Sequence, residues 1–485
     1  MRWRGWSVSG NAAKIVRGDF QTPFALAAQV CELLARRGVC PAAVVEPTCG
    51  TGSFLQAART VWRDKPAYFG FDLEPEHVSV ARKNLPPDIR VAVQDFFTHD
   101  WHSFTKGLPP GNVLFLGNPP WVTNARQGVL SGANLLPKTN FHSLTGIEAK
   151  TGKSNFDISE WIIWQLIAAG LAAGRVFEVA MLCKSGTARK IIEGAGRRNL
   201  PVTHATLYRV DAGQWFGAAV EACLFRIGFD ASLATASPLR VPCYAGLEAV
   251  AAQNVLGYAD GALIADAHAY EQTRDLPGRG TYRWRSGVKH DLTKVCELRR
   301  DETGVLRNGY DDVVNIESER LYPLLKCTDL FHGRSATNRL VLLTQQATGE
   351  DTELLARRLP RTGAYLNTHR ERFTARKSSI YRGASAFALF GIGDYTFAPY
   401  KVAVSGLHSA VRFRVVLPEQ GKPVVMDDTC YFVGFDTEQE ARQLLARLES
   451  DAVRQAIAAY LFADAKRPVT ATLLARLPLG TQDGE

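Results

Sequence analysis

The first half of the chain alternates short apolar runs with longer amphipathic stretches. Ala42–Val45, Tyr68–Phe71, Ile89–Val93, Val113–Leu116 and Val176–Cys183 are compact apolar segments of strand length. Ala205–Val210 and Ala219–Ile227 read as two more strands on either side of Trp215-Phe216. Between them, 24–37, 77–84, a segment running to about Ala173, and 186–194 carry helical spacing. Strands alternating with helices predict an α/β fold with a largely parallel, Rossmann-like sheet of seven strands, complete near residue 229.

Beyond that point the pattern changes. Residues 230–281 are rich in Ala and Gly, have weak periodicity and read as a connector with some strand. From Tyr282 the texture is mixed α/β. Phe387–Gly406 and Val424–Phe435 alternate like strands with turns, and helices are expected around 437–449 and 451–462. The predicted organisation is a first domain over 1–229, the connector over 230–281 and a second domain over 282–485.

Charge adds to this division. The chain holds 57 Lys and Arg against 48 Asp and Glu, a net +9, which permits an anionic partner without requiring one. The 282–291 segment mixes aromatic and basic residues, with Arg283 and Lys289 among them. Between Arg357 and Arg382 there are eight Lys or Arg, including Arg372, Arg376 and Lys377, and one acid, Glu371; Tyr365, Phe373 and Tyr381 lie between them. Cations interleaved with aromatics suit a groove that meets phosphates and stacks on bases. The alternative is a solvated charged surface. Nine cysteines stand singly without a CxxC pair, which indicates neither a zinc site nor a disulfide framework and fits a reducing cytoplasm. No signal peptide is expected, because residues 1–18 are a basic, irregular arm with no apolar core. Gln165, Arg175 and Glu178 interrupt the longest apolar stretch, so no membrane span is expected.

The chemistry gathers where strands end. Glu46-Pro47-Thr48-Cys49-Gly50-Thr51-Gly52 follows the first strand and opens a helix. Gly50 and Gly52 allow close backbone approach, and a helix N-terminus favours negative charge. Asp72 ends the second strand, where an acidic residue meets ribose hydroxyls, with Glu74 as the alternative. Asp95 and Phe96 follow the third strand. The fourth runs into Asn118-Pro119-Pro120-Trp121. The two prolines fix φ and remove two donors, leaving carbonyls and the Asn118 oxygen as acceptors beside the flat Trp121 ring. Such a turn suits a planar group bearing NH2: the exocyclic amine of a nucleobase, or an amide. Upstream, Gln21-Thr22-Pro23 precedes the first helix, with Thr22 suited to cap it and Pro23 to its first position.

In this order, QTP, EPTCGTG, Asp72, Asp95, NPPW and then a basic second domain, the motifs resemble the gamma class of bacterial DNA amino-methyltransferases, the adenine-N6 enzymes of restriction–modification systems. The motif match spans roughly 18–229, and WRSGVKHD and SSIYRG…FGIGDY…APYKV resemble the target-recognition half of one branch. The resemblance implies S-adenosylmethionine as cofactor. Gln21, Thr22 and Pro23 would lie by its methionine part, with Glu46 at its amino group. Gly50 and Gly52 would form its turn, with Asp72 at the ribose and Asp95 and Phe96 at the adenine. It also implies catalysis by Asn118, Pro119, Pro120 and Trp121 without a metal, and a C-terminal mixed α/β DNA target-recognition domain. Double-stranded DNA would be the partner, with a flipped base as target. A separate cognate restriction endonuclease would fit, since no PD…(D/E)xK cluster marks a fused nuclease. Phe156 or Trp161 could face the target base, and the polar 122–154 segment could be a substrate loop. Trp121 replaces the commoner Tyr, keeping a stacking face and losing a hydroxyl. Three other readings stay open: a cytosine-N4 DNA methyltransferase, a protein-glutamine methyltransferase, and a non-catalytic DNA-binding specificity protein on the same scaffold.

Overall fold

Strand β1 (Ala43–Glu46) lies inside a sheet, flanked in parallel by β2 (Ala67–Asp72) and β4 (Val113–Gly117). Its residues are all buried, as the unbroken apolar run predicts for a strand covered on both faces. Strand β3 (Ile89–Val93) pairs with β2, and β5 (Val176–Lys184) with β4, both in parallel. Strand β7 (Glu221–Asp230) inserts antiparallel between β5 and β6 (Val202–Asp211). These observations come from a computed structural model that describes residues 21–63, 65–122, 157–233, 238–334 and 338–480. The N-terminal arm, Phe156 and the polar segment past Val122 fall outside the described residues.

The seven expected strands are present, in the order β6-β7-β5-β4-β1-β2-β3. Three more extend the sheet to ten: β8 (Leu239–Tyr244), β9 (Asn254–Ala259) and β10 (Ala262–Ile264). They come from the segment read as a connector. Their short, half-buried patterns explain the weak periodicity, because they build the sheet's edge rather than its centre. The chain divides into two units between Ala267 and His268.

In unit 1, helix α1 (Phe24–Arg36) buries Leu26, Ala27, Val30, Cys31, Leu33 and Leu34, the stripe its spacing predicts. It begins one residue later than Thr22 capping would require. Pro23 is the N-cap, its ψ of 138° holds it extended, and no side chain caps the helix. Helices α2 (Ser53–Trp62) and α3 (Pro75–Asn84) follow β1 and β2, and α4 (Trp101–Lys106) follows β3. Helix α5 (Ile158–Ala172) is apolar almost all round and buried; Asp157 caps it, accepting from the Ser159 N–H at 3.1 Å. Glu178, which interrupts the long apolar run, is buried in β5. Burial pushes its carboxyl up, but bonds from His204 and Arg226 outweigh this and pull it down to about 2.

Among the described residues, unit 2 has two sheets. One has the order β11-β19-β16-β17, with β11 (Arg285–Ser286), β16 (Tyr400–Ser405), β17 (Phe413–Val416) and β19 (Cys430–Phe435). The other has the order β13-β12-β15-β14-β18, with β12 (Glu297–Arg300), β13 (Leu306–Arg307), β14 (Leu321–Leu325), β15 (Arg339–Leu342) and β18 (Val425–Met426). Within the expected strand region 387–406, only Tyr400–Ser405 is strand; Asp394–Phe397 is a 3-10 turn. Helices Glu438–Leu448 and Asp451–Tyr460 match the expected pair. Among the described residues, no helix is long and apolar enough to cross a membrane.

Candidate active site

The carboxyl ends of β1, β2 and β4 meet at the point where the order of strands reverses, the position where open α/β sheets bind ligands. A cleft opens there. Its wall includes Gln21, Thr22, Glu46, Gly50 and Asp72, and on the β4 side Asn118 and Pro120. Residues nearly a hundred positions apart thus share one cavity. Pro23, Gly52, Asp95, Phe96, Pro119 and Trp121 are not part of this wall.

The glycine turn is built from backbone constraints. Gly50 and Gly52 have φ of +50° and +90°, which only glycine adopts at little cost. A side chain on Gly52 would press on Leu85, and one on Gly50 would collide with Gln21. Gln21 Oε1 accepts from the Thr51 N–H at 3.1 Å, so the QTP segment is tied directly to the turn. Asp72 braces the same turn from the neighbouring strand. Its Oδ2 accepts from the Gly50 N–H at 2.8 Å; its Oδ1 accepts from the Glu74 N–H at 2.9 Å and lies 3.2 Å from His77 Nδ1.

Glu46 is 3% exposed at the end of β1, and among the described residues its Oε2 has no hydrogen-bond partner. Burial holds its carboxyl well above the usual carboxylate range; a backbone bond from Leu55 works against that and the Asp72 charge with it. Gly117, at φ +155°, brings the end of β4 against Glu46: a side chain there would meet the Glu46 Cγ at 3.3 Å. Thr48 Oγ1, also in the wall, is a second buried oxygen without a partner among the described residues. A buried, unpartnered carboxylate oxygen favours a cationic group beside it. Thr48, Cys49 and Ser53 belong to the wall as well, although strand-end chemistry alone did not single them out.

Trp121 is only 7% exposed. Its Nε1–H donates to the Leu182 carbonyl at 3.2 Å, and its ring meets Phe216 edge-on at 5.2 Å. Lys184, at the end of β5, donates to the Trp121 carbonyl at 2.7 Å and to Asp157 Oδ2 at 2.6 Å. The Ile158 N–H donates to the Val122 carbonyl at 2.9 Å. The NPPW turn is thereby clamped to β5 and α5. Nothing in the sequence marks Lys184, because its partner lies 63 residues away. Asp95 uses Oδ1 to accept from the Phe97 N–H at 2.9 Å. Phe96 is buried against Trp101, with ring centroids 4.8 Å apart, and Trp161 packs on Phe97 at 5.3 Å.

In unit 2, much of the basic stretch is already occupied. Arg358 pairs with Glu319, Arg361 with Glu317 and Arg370 with Glu353. Arg376 departs from the expected groove residue. Its guanidinium donates to the carbonyls of Phe373, His290 and Ala388 and lies 3.5 Å from the Tyr381 ring centroid. Satisfying backbone carbonyls is a structural use of that charge. Lys289 is paired with Asp291 at 2.7 Å. Arg283, Arg372 and Lys377 are exposed, with Arg372 over the Tyr310 ring at 4.6 Å.

No protein-family profile matches the chain. It is 36% identical over 474 residues to the Type II methyltransferase M.NspV of Nostoc sp. (strain ATCC 29411 / PCC 7524), covering 96% of this chain and 97% of that one. A shorter match, 34% over 83 residues, is to the Type II methyltransferase M.CvrRI of Paramecium bursaria Chlorella virus XZ-6E, covering 17% of this chain and 19% of the relative. Among solved structures, the Type IIL restriction–modification enzyme MmeI in complex with DNA has the same fold, with a TM-score of 0.54 at 13% identity over 97% of this chain and 67% of that one. With near-complete coverage at this identity, and with the strand order and strand-end cleft already described, the chain belongs to the Type II methyltransferases.

Proposed function

We propose that the chain transfers a methyl group from S-adenosylmethionine to the N6 amine of adenine at a specific site in double-stranded DNA. The observation that carries this reading is the shared cleft. Asn118 and Pro120, from a turn rich in acceptors, line the same cavity as the glycine turn, Glu46 and Asp72. Asn, rather than Ser, before the two prolines favours adenine over cytosine.

The residues present fit the cofactor. Glu46 would take its ammonium group, which gives the unpartnered carboxylate oxygen a counter-charge. Thr48 and Asp72 supply further acceptors, and Gln21 holds the glycine turn beside them. When bound, the cofactor supplies a methyl group on a sulfonium, which departs to a nucleophile in line with the breaking carbon–sulfur bond.

The rest is positioning by the chain. The Asn118 Oδ1 and the Pro119 carbonyl would accept the two hydrogens of the target amine and so turn its lone pair toward the methyl group. The prolines keep that carbonyl fixed, and the Lys184 clamp holds the turn that carries it. The target base leaves the duplex stack to reach the cleft. Asp95, Phe96 and Trp121 would support the site from behind it, because they lie outside the cleft wall and contact neighbouring protein groups. Nucleoside analysis of DNA from cells expressing the chain tests the reading. N6-methyladenine at one sequence is the expected result; N4-methylcytosine would overturn the adenine assignment, and unmodified DNA the activity.

A further inference from the structure

Strand β12 lies antiparallel between β13 and β15. The register sets Arg299 opposite Arg307 on one side and opposite Arg339 on the other. Directly opposed residues share a sheet face with Cβ atoms about 5 Å apart, so three arginines stand in one row. Like charges placed this way are destabilising, and arginine does not deprotonate to relieve the repulsion. The outer two are compensated: Arg307 donates to Asp301 at 3.1 Å, and Arg339 donates to Asp329 at 2.8 Å and lies 3.9 Å from Glu297. Arg299, in the centre, is exposed and has no carboxylate partner among the described residues.

The row lines an open cavity, joined by Lys294, Arg300 and Asn338. Three acids also line it. Glu297 is held by Lys326 at 2.6 Å and by His290 at 3.3 Å, Asp301 by Arg307 and Thr303, and Asp311 sits on the adjoining turn. That turn is rigid. Asn308 Oδ1 accepts from the N–H groups of Tyr310 and Asp312, and Gly309 packs against Lys294 so closely that a side chain there would meet its Cα. It presents Tyr310, 38% exposed, with Lys294 and Arg372 5.1 and 4.6 Å from its ring. A cation row beside an exposed, cation-flanked aromatic suits a nucleic acid better than a simple anion.

We propose that the row Arg307–Arg299–Arg339 holds a backbone phosphate of the DNA substrate, with Arg299 as its direct contact. This rests on DNA being the substrate. A phosphate would supply the counter-charge that Arg299 lacks, and guanidinium forks match its oxygens two at a time. Such a contact positions the duplex and reads no base.

The test compares Arg299→Gln with the parent, using the full chain and a short fluorescein-labelled duplex of arbitrary sequence in a salt series. The slope of log K against log salt should fall in magnitude by about 0.9, the value for one phosphate contact. The melting temperature of the free chain should hold or rise, because a crowded charge is gone. Arg299→Lys should recover the slope but only part of the affinity. An unchanged slope in Arg299→Gln, with normal binding by the parent, overturns the phosphate contact and leaves the DNA reading standing. A parent chain that binds no duplex at any salt overturns both. A changed methylated sequence would make Arg299 a base reader and overturn the phosphate assignment.

Discussion

Unit 1 carries its site on backbone turns at the ends of adjacent parallel strands, whereas unit 2 carries its charge on side chains that reach across the fold. In unit 1 the residues that matter are short and local. Gly50, Gly52 and the prolines act through φ, and Glu46 and Asp72 stand at strand ends. In unit 2 the value of a cation depends on what lies opposite it. Arg361 is neutralised by Glu317, 44 residues away, and Arg376 is spent on carbonyls up to 86 residues away. Arg299 stands exposed in a row completed by Arg307 on the next strand and by Arg339, brought alongside from further down the chain. A motif read along the chain therefore reports on unit 1 far better than a charge count reports on unit 2.

The comparison breaks most clearly at Asn118. Asn118→Ala should lower methyl transfer about a hundredfold or more while leaving cofactor affinity nearly intact, as expected for a group that acts on the reacting amine. Single-turnover assays beside cofactor calorimetry would show it, and activity within tenfold of the parent would remove Asn118 from catalysis.

Next in size is Glu46. A carboxyl raised by burial favours its neutral form in the folded chain. Its contribution to stability is complete below the unfolded value of about 4.3 and is lost as pH rises through the folded value. An ammonium group beside it reverses this preference, so cofactor binding should release protons and tighten as pH rises through that range. Titration calorimetry in buffers of differing ionisation enthalpy measures the release. Glu46→Gln should abolish the release and weaken binding about ten- to hundredfold, the worth of one hydrogen bond to a charged group. It should leave the free chain at least as stable at neutral pH. Proton uptake, or unchanged affinity, would remove the ammonium from Glu46.

A smaller effect sharpens the contrast inside unit 2. Arg376→Ala strips donors from three carbonyls and should cost about 2–3 kcal/mol in urea unfolding. Lys377→Ala, one residue away and exposed, should change stability by less than about 0.5 kcal/mol. If Lys377 meets a phosphate, its loss should lower the salt slope of DNA binding by about 0.9. If Arg376→Ala left stability unchanged and lowered the slope instead, the stretch would be a groove after all, and the distinction between the two neighbours would fail.

The α/β class, the seven strands and the turns at their ends were legible in the chain because each depends on contiguous residues: an apolar run, a glycine that tolerates positive φ, a proline without a donor. The edge strands β8 to β10 were legible only as some strand within a connector, since short half-buried strands leave little periodicity. The pairing of Lys184 with the Trp121 carbonyl was not legible, nor was the burial of Trp121 and Phe96. Hydrophobic spacing and backbone stereochemistry are properties of neighbouring residues, so the sequence alone determined the seven expected strands and the turns at their ends. Which charges are spent, which stay exposed and which polar atoms lack a partner depend on residues brought together across the fold, and only the tertiary structure decided those.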